Sequence, residues 1–520
     1  MNSSTKLAHS VIRDLIEVGV SNFVISPGSR NAPLLIALNE ASEKQLIDLH
    51  VKIDERGAAF FALGIAKASN NYAAVICTSG TAAANFHPAA LEALHSNSKL
   101  LIITADRPER LRKTGSNQTT NQVGIYSLIK THDLATTIQI KPLLNGGPVH
   151  LNVQFDEPLL SNVKDSWLSG IKVTPAEYKN NVTGKLEVTT GVLVIGHDRA
   201  GYEVSEVNEF ASKLNWPVIA EDPISFPQAI AHTPLFLSDE KIREKLAPES
   251  IIVIGRTTLS RSTNNFIQLA KKVIVIDPRI SSIDDKRQAD LLLTNLPNEV
   301  TSSSSDTKIW QNILELAASQ IKEIKWSEQL AAITICKLLP NDSALFVGSS
   351  RPVRDIEAFA APRSGVDVFA NRGLAGIDGN ISTAFGIATK YKSSSAIMGD
   401  LTFLHDISAL ANKSKENLRI YVIDNNGGGI FSTLPQAEVE NFDQLFGTPH
   451  NLDLTKVVAG FGVSVSKVSD LKQLQTAISK PIKGLDVVVV EVPSRESNAE
   501  GLKEITQRVS RAVRIGINLA

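Results

Sequence analysis

Short runs of aliphatic, mostly β-branched residues recur along this chain, and each breaks into a polar turn followed by a helical pattern. Phe23-Val24-Ile25 runs into Ser26-Pro27-Gly28-Ser29-Arg30, and Leu49-His50-Val51-Lys52-Ile53 into Asp54-Glu55-Arg56-Gly57. Ala74-Val75-Ile76-Cys77 runs into Thr78-Ser79-Gly80-Thr81, and Leu100-Leu101-Ile102-Ile103 into Thr104-Ala105-Asp106-Arg107-Pro108. Ahead of them, Ala8, Val11, Ile12, Leu15 and Ile16 make a helical stripe that Gly19 stops. Continuous apolar runs suit strands buried on both faces, and strand–helix alternation calls for parallel strands joined by crossovers. The expected fold is α/β, with doubly wound, mainly parallel sheets. The four polar turns then share one carboxyl edge, where such sheets bind ligands.

At 520 residues the chain has room for about three domains. The first is expected over residues 1–175, closing after Val149-His150-Leu151-Asn152-Val153, with a polar linker at about 175–188. A second α/β unit, 188–325, carries Val192-Leu193-Val194-Ile195-Gly196, Ile251-Ile252-Val253-Ile254-Gly255 and Val273-Ile274-Val275-Ile276-Asp277. The serine-rich stretch 301–306 reads as a loop or boundary near its end. The third, 326–520, begins near Trp326. The two outer domains share a strand–turn–helix grammar that suggests structural duplication.

Charge and cysteine content remove several classes of function. The net charge of −1 provides no overall field for nucleic acid or an anionic membrane. Two cysteines, Cys77 and Cys336, cannot form a disulfide framework and fit a reducing compartment. The start, Met1-Asn2-Ser3-Ser4-Thr5-Lys6, lacks the apolar run of a signal peptide, and no stretch reaches the ~20 apolar residues of a membrane helix. A cytoplasmic enzyme or binding protein is expected.

The stretch richest in chemistry is Ala396-Ile397-Met398-Gly399-Asp400-Leu401-Thr402, followed by a helical segment and then Ile420-Tyr421-Val422-Ile423-Asp424-Asn425-Asn426-Gly427. About two dozen residues separate Asp400 from Asn425, enough for one strand–helix–strand crossover. Both turns then meet at the ends of neighbouring parallel strands. A carboxylate, an amide oxygen and a free backbone carbonyl facing one volume are hard oxygen ligands, suited to a Mg²⁺ ion that keeps phosphate oxygens in its shell. Each turn alone would pass for an ordinary Gly/Asn/Asp turn; the spacing between them is what favours a metal–diphosphate site.

That pattern resembles the metal–diphosphate motif of thiamine diphosphate (ThDP) enzymes. It departs mildly from the family form, with Leu401 where a second glycine is usual and Asp424 where an Asn is usual. The resemblance implies that Asp400, Asn425 and the Gly427 carbonyl hold Mg²⁺ (or Mn²⁺), with Gly399, Leu401 and Ile430 beside the cofactor. It also implies an acid that shares a proton with the pyrimidine N1′ of ThDP. Glu55, between a strand and the helix Ala58, Ala59, Phe60, Phe61, Leu63, matches that position and is the expected catalytic residue. Ile377, in Gly376-Ile377-Asp378-Gly379, matches the apolar residue that props the folded cofactor. In such enzymes the two halves of a site come from different subunits, so at least a homodimer, or a homotetramer, is implied.

Arginines on the expected edge turns narrow the substrate. Arg30, Arg107, Arg354 and Arg372, with Arg261 after Ser260 on a turn of the middle domain, offer planar forks that match carboxylates. Several together suit substrates with several carboxylates. Adding Thr78-Ser79-Gly80-Thr81-Ala82-Ala83-Ala84-Asn85, Asn117-Gln118, Asn371-Arg372-Gly373, Gly399-Asp400-Leu401-Thr402-Phe403-Leu404-His405-Asp406 and Gly429-Ile430-Phe431-Ser432, the chain resembles, over nearly its whole length, the ThDP family of 2-succinyl-5-enolpyruvyl-6-hydroxy-3-cyclohexene-1-carboxylate (SEPHCHC) synthases of menaquinone biosynthesis. The likeness is weakest over about 174–342. It implies decarboxylation of 2-oxoglutarate and 1,4-addition of the succinyl carbanion equivalent to isochorismate, giving SEPHCHC and CO₂. By family position, Ser29, Arg30, Arg107, Gln118, Arg261, Ser350, Arg354 and Arg372 bind substrate, and Ile430, Phe431 and Leu434 form an apolar wall. The alternatives are another ThDP carboligase such as acetohydroxyacid synthase, a nucleotide-dependent oxidoreductase, for which no Gly-x-Gly-x-x-Gly follows a strand, and a non-catalytic relative, disfavoured because both halves of a site are present.

Overall fold

In the computed structural model of the chain, residues 2–161, 166–175, 184–199, 201–279, 289–412 and 415–519 are described. Most of the expected linker, residues 176–183, lies outside them. The first sheet holds β1 (Asn22–Ile25), β2 (Asp48–Val51), β3 (Ala73–Cys77), β4 (Leu100–Asp106), β5 (Thr131–Leu134) and β6 (Val149–Gln154), in the order β2-β1-β3-β4-β6-β5. Its strands all run parallel. β3 and β4 are buried at every residue, as expected of strands covered on both faces.

The middle of the chain supplies β7 (Lys185–Glu187), β8 (Gly191–Ile195), β9 (Val218–Ala220), β10 (Ser250–Ile254), β11 (Lys272–Ile276), β12 (Leu291–Leu293) and β13 (Glu299–Thr301). Five of these form a parallel sheet ordered β12-β11-β10-β8-β9, and β7 pairs with β13. The last sheet holds β14 (Ser343–Val347), β15 (Val366–Phe369), β16 (Ser394–Gly399), β17 (Leu418–Asp424), β18 (Ser464–Val468) and β19 (Leu485–Glu491). Its order is β15-β14-β16-β17-β19-β18. Counted from its own first strand, that is the order of the first sheet, so the two outer sheets are topological repeats, as their shared grammar suggests.

The described residues pack into two compact units, Met1–Lys179 with Gly373–Lys392 and His405–Glu416, and Asn180–Arg372 with Ser393–Leu404 and Asn417–Ala520. In the first unit an aliphatic core from Leu7 to Leu168 fills one face of the sheet. There the helix α1 (Glu55–Ser69) crosses the helix α2 (Asn380–Ala388) backbone to backbone. A Cβ at Gly64 would run into the Thr383 carbonyl, and one at Gly386 into the Phe61 carbonyl. Only glycine allows that approach. In the second unit, separate clusters cover the middle sheet and the last sheet.

Two expectations shift. The second strand ends at Val51, not Ile53, whose side chain is 86% exposed. Arg261 does not lie on a turn: it opens the helix Arg261–Ile267, because Ser260 caps that helix by accepting the Thr263 N–H at 3.2 Å. Among the described residues no helix is long and apolar enough to cross a membrane.

Candidate active site

The register of β16 and β17 places the two motif turns side by side. Gly399 pairs with Ile423, so Asp400 and Asp424 follow as neighbours on one sheet edge. Asp400 is buried. Its Oδ1 accepts the Leu401 N–H at 2.6 Å and its Oδ2 the Gly427 N–H at 2.8 Å. Gly427 is thus tied to Asp400 through its amide. The Asn425 side chain is oriented by its own hydrogen bonding. Its Nδ2 donates to the buried Glu328 carboxylate, and its Oδ1 is buried without a hydrogen-bond partner. An amide oxygen orphaned in this way beside a buried carboxylate fits a hard cation that also takes phosphate oxygens. The residues present therefore fit the metal.

His450 completes the group and was not found from the sequence. Ligand atoms of Asp400, Asp424 and His450 lie within 4.8 Å of one another. The loop carrying His450 is held by a reciprocal amide pair, with Asn426 Nδ2 donating to Asn451 Oδ1 and Asn451 N–H donating to Asn426 Oδ1, each at 2.9 Å. His450 Nδ1 accepts the Leu452 N–H at 3.0 Å, which puts the ring proton on Nε2, 3.3 Å from Asp400 Oδ2. His450 in this tautomer steadies Asp400 by donating to its Oδ2. The hydrogen bond with Asp400 pushes the imidazole pKa up, while burial and the facing Asp400 push Asp424 up. Nothing in the spacing of Thr448-Pro449-His450 signals this placement, since it depends on a loop returning from beyond β17.

In the first unit, Glu55 is the first residue of α1. Asp54 does the capping, its Oδ1 accepting the Arg56 N–H at 3.0 Å, and its Oδ2 accepts the Ser408 hydroxyl. The partly exposed Glu55 carboxylate makes no hydrogen bond or ion pair with a described residue. It lies near enough to the end of β3 that its charge adds to burial in pushing the Cys77 thiol up. Ile377 is partly exposed on the loop before α2.

The arginines form one group in each unit. In the first unit, Arg107 donates to Ser79 Oγ at 3.2 Å and to the Gln118 carbonyl at 2.9 Å, while Gln118 Nε2 donates to the Ser79 carbonyl at 3.1 Å. Arg30 is close enough that burial and its charge together lower the Arg107 pKa. Arg30 itself donates to the Phe155 carbonyl and pairs with Glu157 at 3.2 Å; Ser29 beside it is exposed. In the second unit, Arg354 donates to the Ser350 carbonyl at 2.7 Å. Burial, Arg372 and Arg351 all lower the Arg354 pKa, the mark of converging cations. Ser350 sits at φ 78°, ψ −124°, and caps no N–H with its side chain. That conformation costs a residue with a Cβ about 1–3 kcal/mol and points to a functional constraint. Ile430, Phe431 and Leu434 are partly exposed on one short segment, with the Phe431 ring 5.5 Å from Phe446. Arg261 is exposed on its helix.

Comparison with known families gives three matches in chain order. They are a thiamine pyrophosphate enzyme N-terminal TPP binding domain over residues 5–125, a middle domain of thiamine pyrophosphate enzymes over 161–347, and a C-terminal TPP binding domain over 353–492. Among similar curated proteins is a 2-succinyl-5-enolpyruvyl-6-hydroxy-3-cyclohexene-1-carboxylate synthase from a Nocardioides species, 36% identical across 96% of this chain and 97% of the relative. Proteins of the same name from Lysinibacillus sphaericus (34% identical, 97% of this chain and 98% of the relative) and Thermobifida fusca (33%, 99% and 100%) are also similar.

Proposed function

Because the chain belongs to the SEPHCHC synthases, a family of ThDP-dependent enzymes with three α/β domains, we propose that it decarboxylates 2-oxoglutarate and adds the remaining succinyl unit to the conjugated alkene of isochorismate, releasing CO₂ and SEPHCHC. ThDP, when bound, supplies a thiazolium that accepts the electron pair left by decarboxylation. Glu55 holds a proton at the pyrimidine N1′, and Ile377 props the cofactor. Asp400, Asn425 and the Gly427 carbonyl hold Mg²⁺ or Mn²⁺, and through it the diphosphate, with Gly399, Leu401 and Ile430 alongside. We divide these tasks among a pyrimidine-binding segment 1–175, a central segment 188–325 and a diphosphate- and metal-binding segment 326–520. Each site draws Glu55 from one protomer and the metal group from another, in a homodimer or homotetramer working in the cytoplasm.

Both substrates carry two carboxylates, which matches two groups of arginines. Arg30 and Arg107, with Ser29 and Gln118, form one group. Arg354 and Arg372, with Ser350, form the other, and Arg261 is a further candidate. Ile430, Phe431 and Leu434 keep water from the reacting carbon, since premature protonation would divert the reaction. The observation that carries this reading is the orphaned Asn425 Oδ1 at the strand edge that also carries Asp400, in the same unit as the converging cations Arg354, Arg372 and Arg351. The test is incubation with ThDP, Mg²⁺, 2-oxoglutarate and isochorismate, following isochorismate loss and CO₂ release. Turnover of pyruvate alone, with isochorismate untouched, would point instead to another carboligase.

A further inference from the structure

The carboxyl edge of the middle sheet is organised around Arg372. Glu221, directly after β9, is buried, with a relative exposure of 1%. One of its oxygens accepts the Thr258 and Leu259 N–H groups at 2.8 and 2.9 Å, and the other accepts the His197 N–H at 2.8 Å. One carboxylate thus ties together the segments that follow β8, β9 and β10. The segment after β10 is fixed again by Arg256, which pairs with Asp198 at 3.3 Å and donates to the Arg372 carbonyl at 3.1 Å. Thr258 Oγ1 accepts a hydrogen from the Arg372 guanidinium at 2.9 Å. Arg372 is therefore held at its backbone by Arg256 and at its side chain by Thr258, and both holders stand on the loop that Glu221 braces.

The electrostatics agree with that geometry. Arg372 is nine-tenths or more buried, and a second buried acid, Glu357, lies near it. Burial and Glu221 raise the Glu357 pKa well above its ordinary value, while Arg354 and Arg372 oppose the rise. Two buried acids and two arginines thus share one low-dielectric region, where protein partners hold the cations in place.

We propose that Thr258, braced by Glu221, is a positioning residue that sets the guanidinium of Arg372 for a substrate carboxylate, so that the loop after β10 acts on specificity through Arg372. The inference rests on the reading above that Arg372 binds one of the two dicarboxylates. Thr258 is partly exposed, so replacing it empties no core. Thr258→Val keeps the shape and removes the acceptor. Loss of a hydrogen bond to a charged group is expected to raise KM for one dicarboxylate roughly tenfold, with kcat, ThDP affinity and Tm nearly unchanged. Thr258→Ser, which keeps the hydroxyl, is expected to restore KM, and Thr258→Ala serves as a second acceptor-free variant. Unchanged KM for both substrates in the Val and Ala variants would overturn the proposal, as would a fall in kcat alone. Arg372→Ala separates substrate binding from positioning. If it raises a KM and Thr258→Val does not, the positioning role fails while the substrate role of Arg372 stands. If it leaves both KM values unchanged, the substrate role fails and the positioning role with it.

Discussion

Asn425 gives its side-chain N–H to Glu328 and keeps its Oδ1 for something else. Glu328 is buried, and its other oxygen lies 3.6 Å from Arg351, which also pairs with Asp355. A carboxylate has no proton to offer, so the Asn425 amide cannot turn round and present its NH₂ to a cation.

Glu328→Gln replaces that pure acceptor by a group that also donates, and lets the Asn425 amide flip. Binding of Mn²⁺ to the ThDP-loaded protein, followed by electron paramagnetic resonance, is expected to weaken roughly 10–100-fold. Unaltered Mn²⁺ affinity would show that Glu328 does not orient the ligand.

Glu55→Gln retains the helix start, because Asp54 performs the capping. Turnover is expected to fall roughly 10²–10⁴-fold, the usual consequence of removing an acid–base group. Circular dichroism should show an intact fold, and near-normal turnover in the variant would remove Glu55 from the mechanism.

Ser350→Gly separates stability from substrate handling. Glycine relieves the positive φ of 78°, so the variant should be as stable as the parent or more so, by up to about 1 kcal/mol. If Ser350 contacts substrate, KM for one dicarboxylate should rise in the same protein. A destabilised variant with unchanged KM would contradict both halves of that expectation.

The fold should also lose stability in acid, in part through His150. This ring is buried between Thr104 Oγ1, at 2.7 Å, and Thr131 Oγ1, at 3.0 Å, and burial lowers its pKa from 6.5 to about 3. Below pH 6.5 the unfolded chain takes up a proton there that the folded chain refuses. The contribution is fully present above pH 6.5 and is lost as the pH falls towards 3, at up to about 1.4 kcal/mol per pH unit. His50, lowered to about 4 by burial and then Lys52, adds to it. Urea unfolding at pH 7.5 and pH 5 should show a smaller gap for His150→Gln than for the parent; equal gaps would rule the contribution out.

Much of this architecture could be read from local pattern. Ile251-Ile252-Val253-Ile254 and Val273-Ile274-Val275-Ile276 could only be strands buried on both faces, and they are. Asp400 and Asn425 were legible because a crossover of fixed length converts sequence spacing into neighbouring strand ends. His450, Glu328, Glu221 and Thr258 were not. Each reaches its partner from a loop or helix start far along the chain, and an ordinary Thr-Leu-Ser or Pro-His-Asn stretch has no periodicity to betray that. The turn expected at Arg261 is instead a helix start, because Ser260 caps the helix that Arg261 opens.

The crossing at Gly64 and Gly386 has a mechanical meaning. Main chain rests directly on main chain there, with no side chain to act as a cushion. The helix that begins at Glu55 and the helix that follows Ile377 are therefore joined as a single strut, and any residue larger than glycine at the crossing would have to pry the two apart.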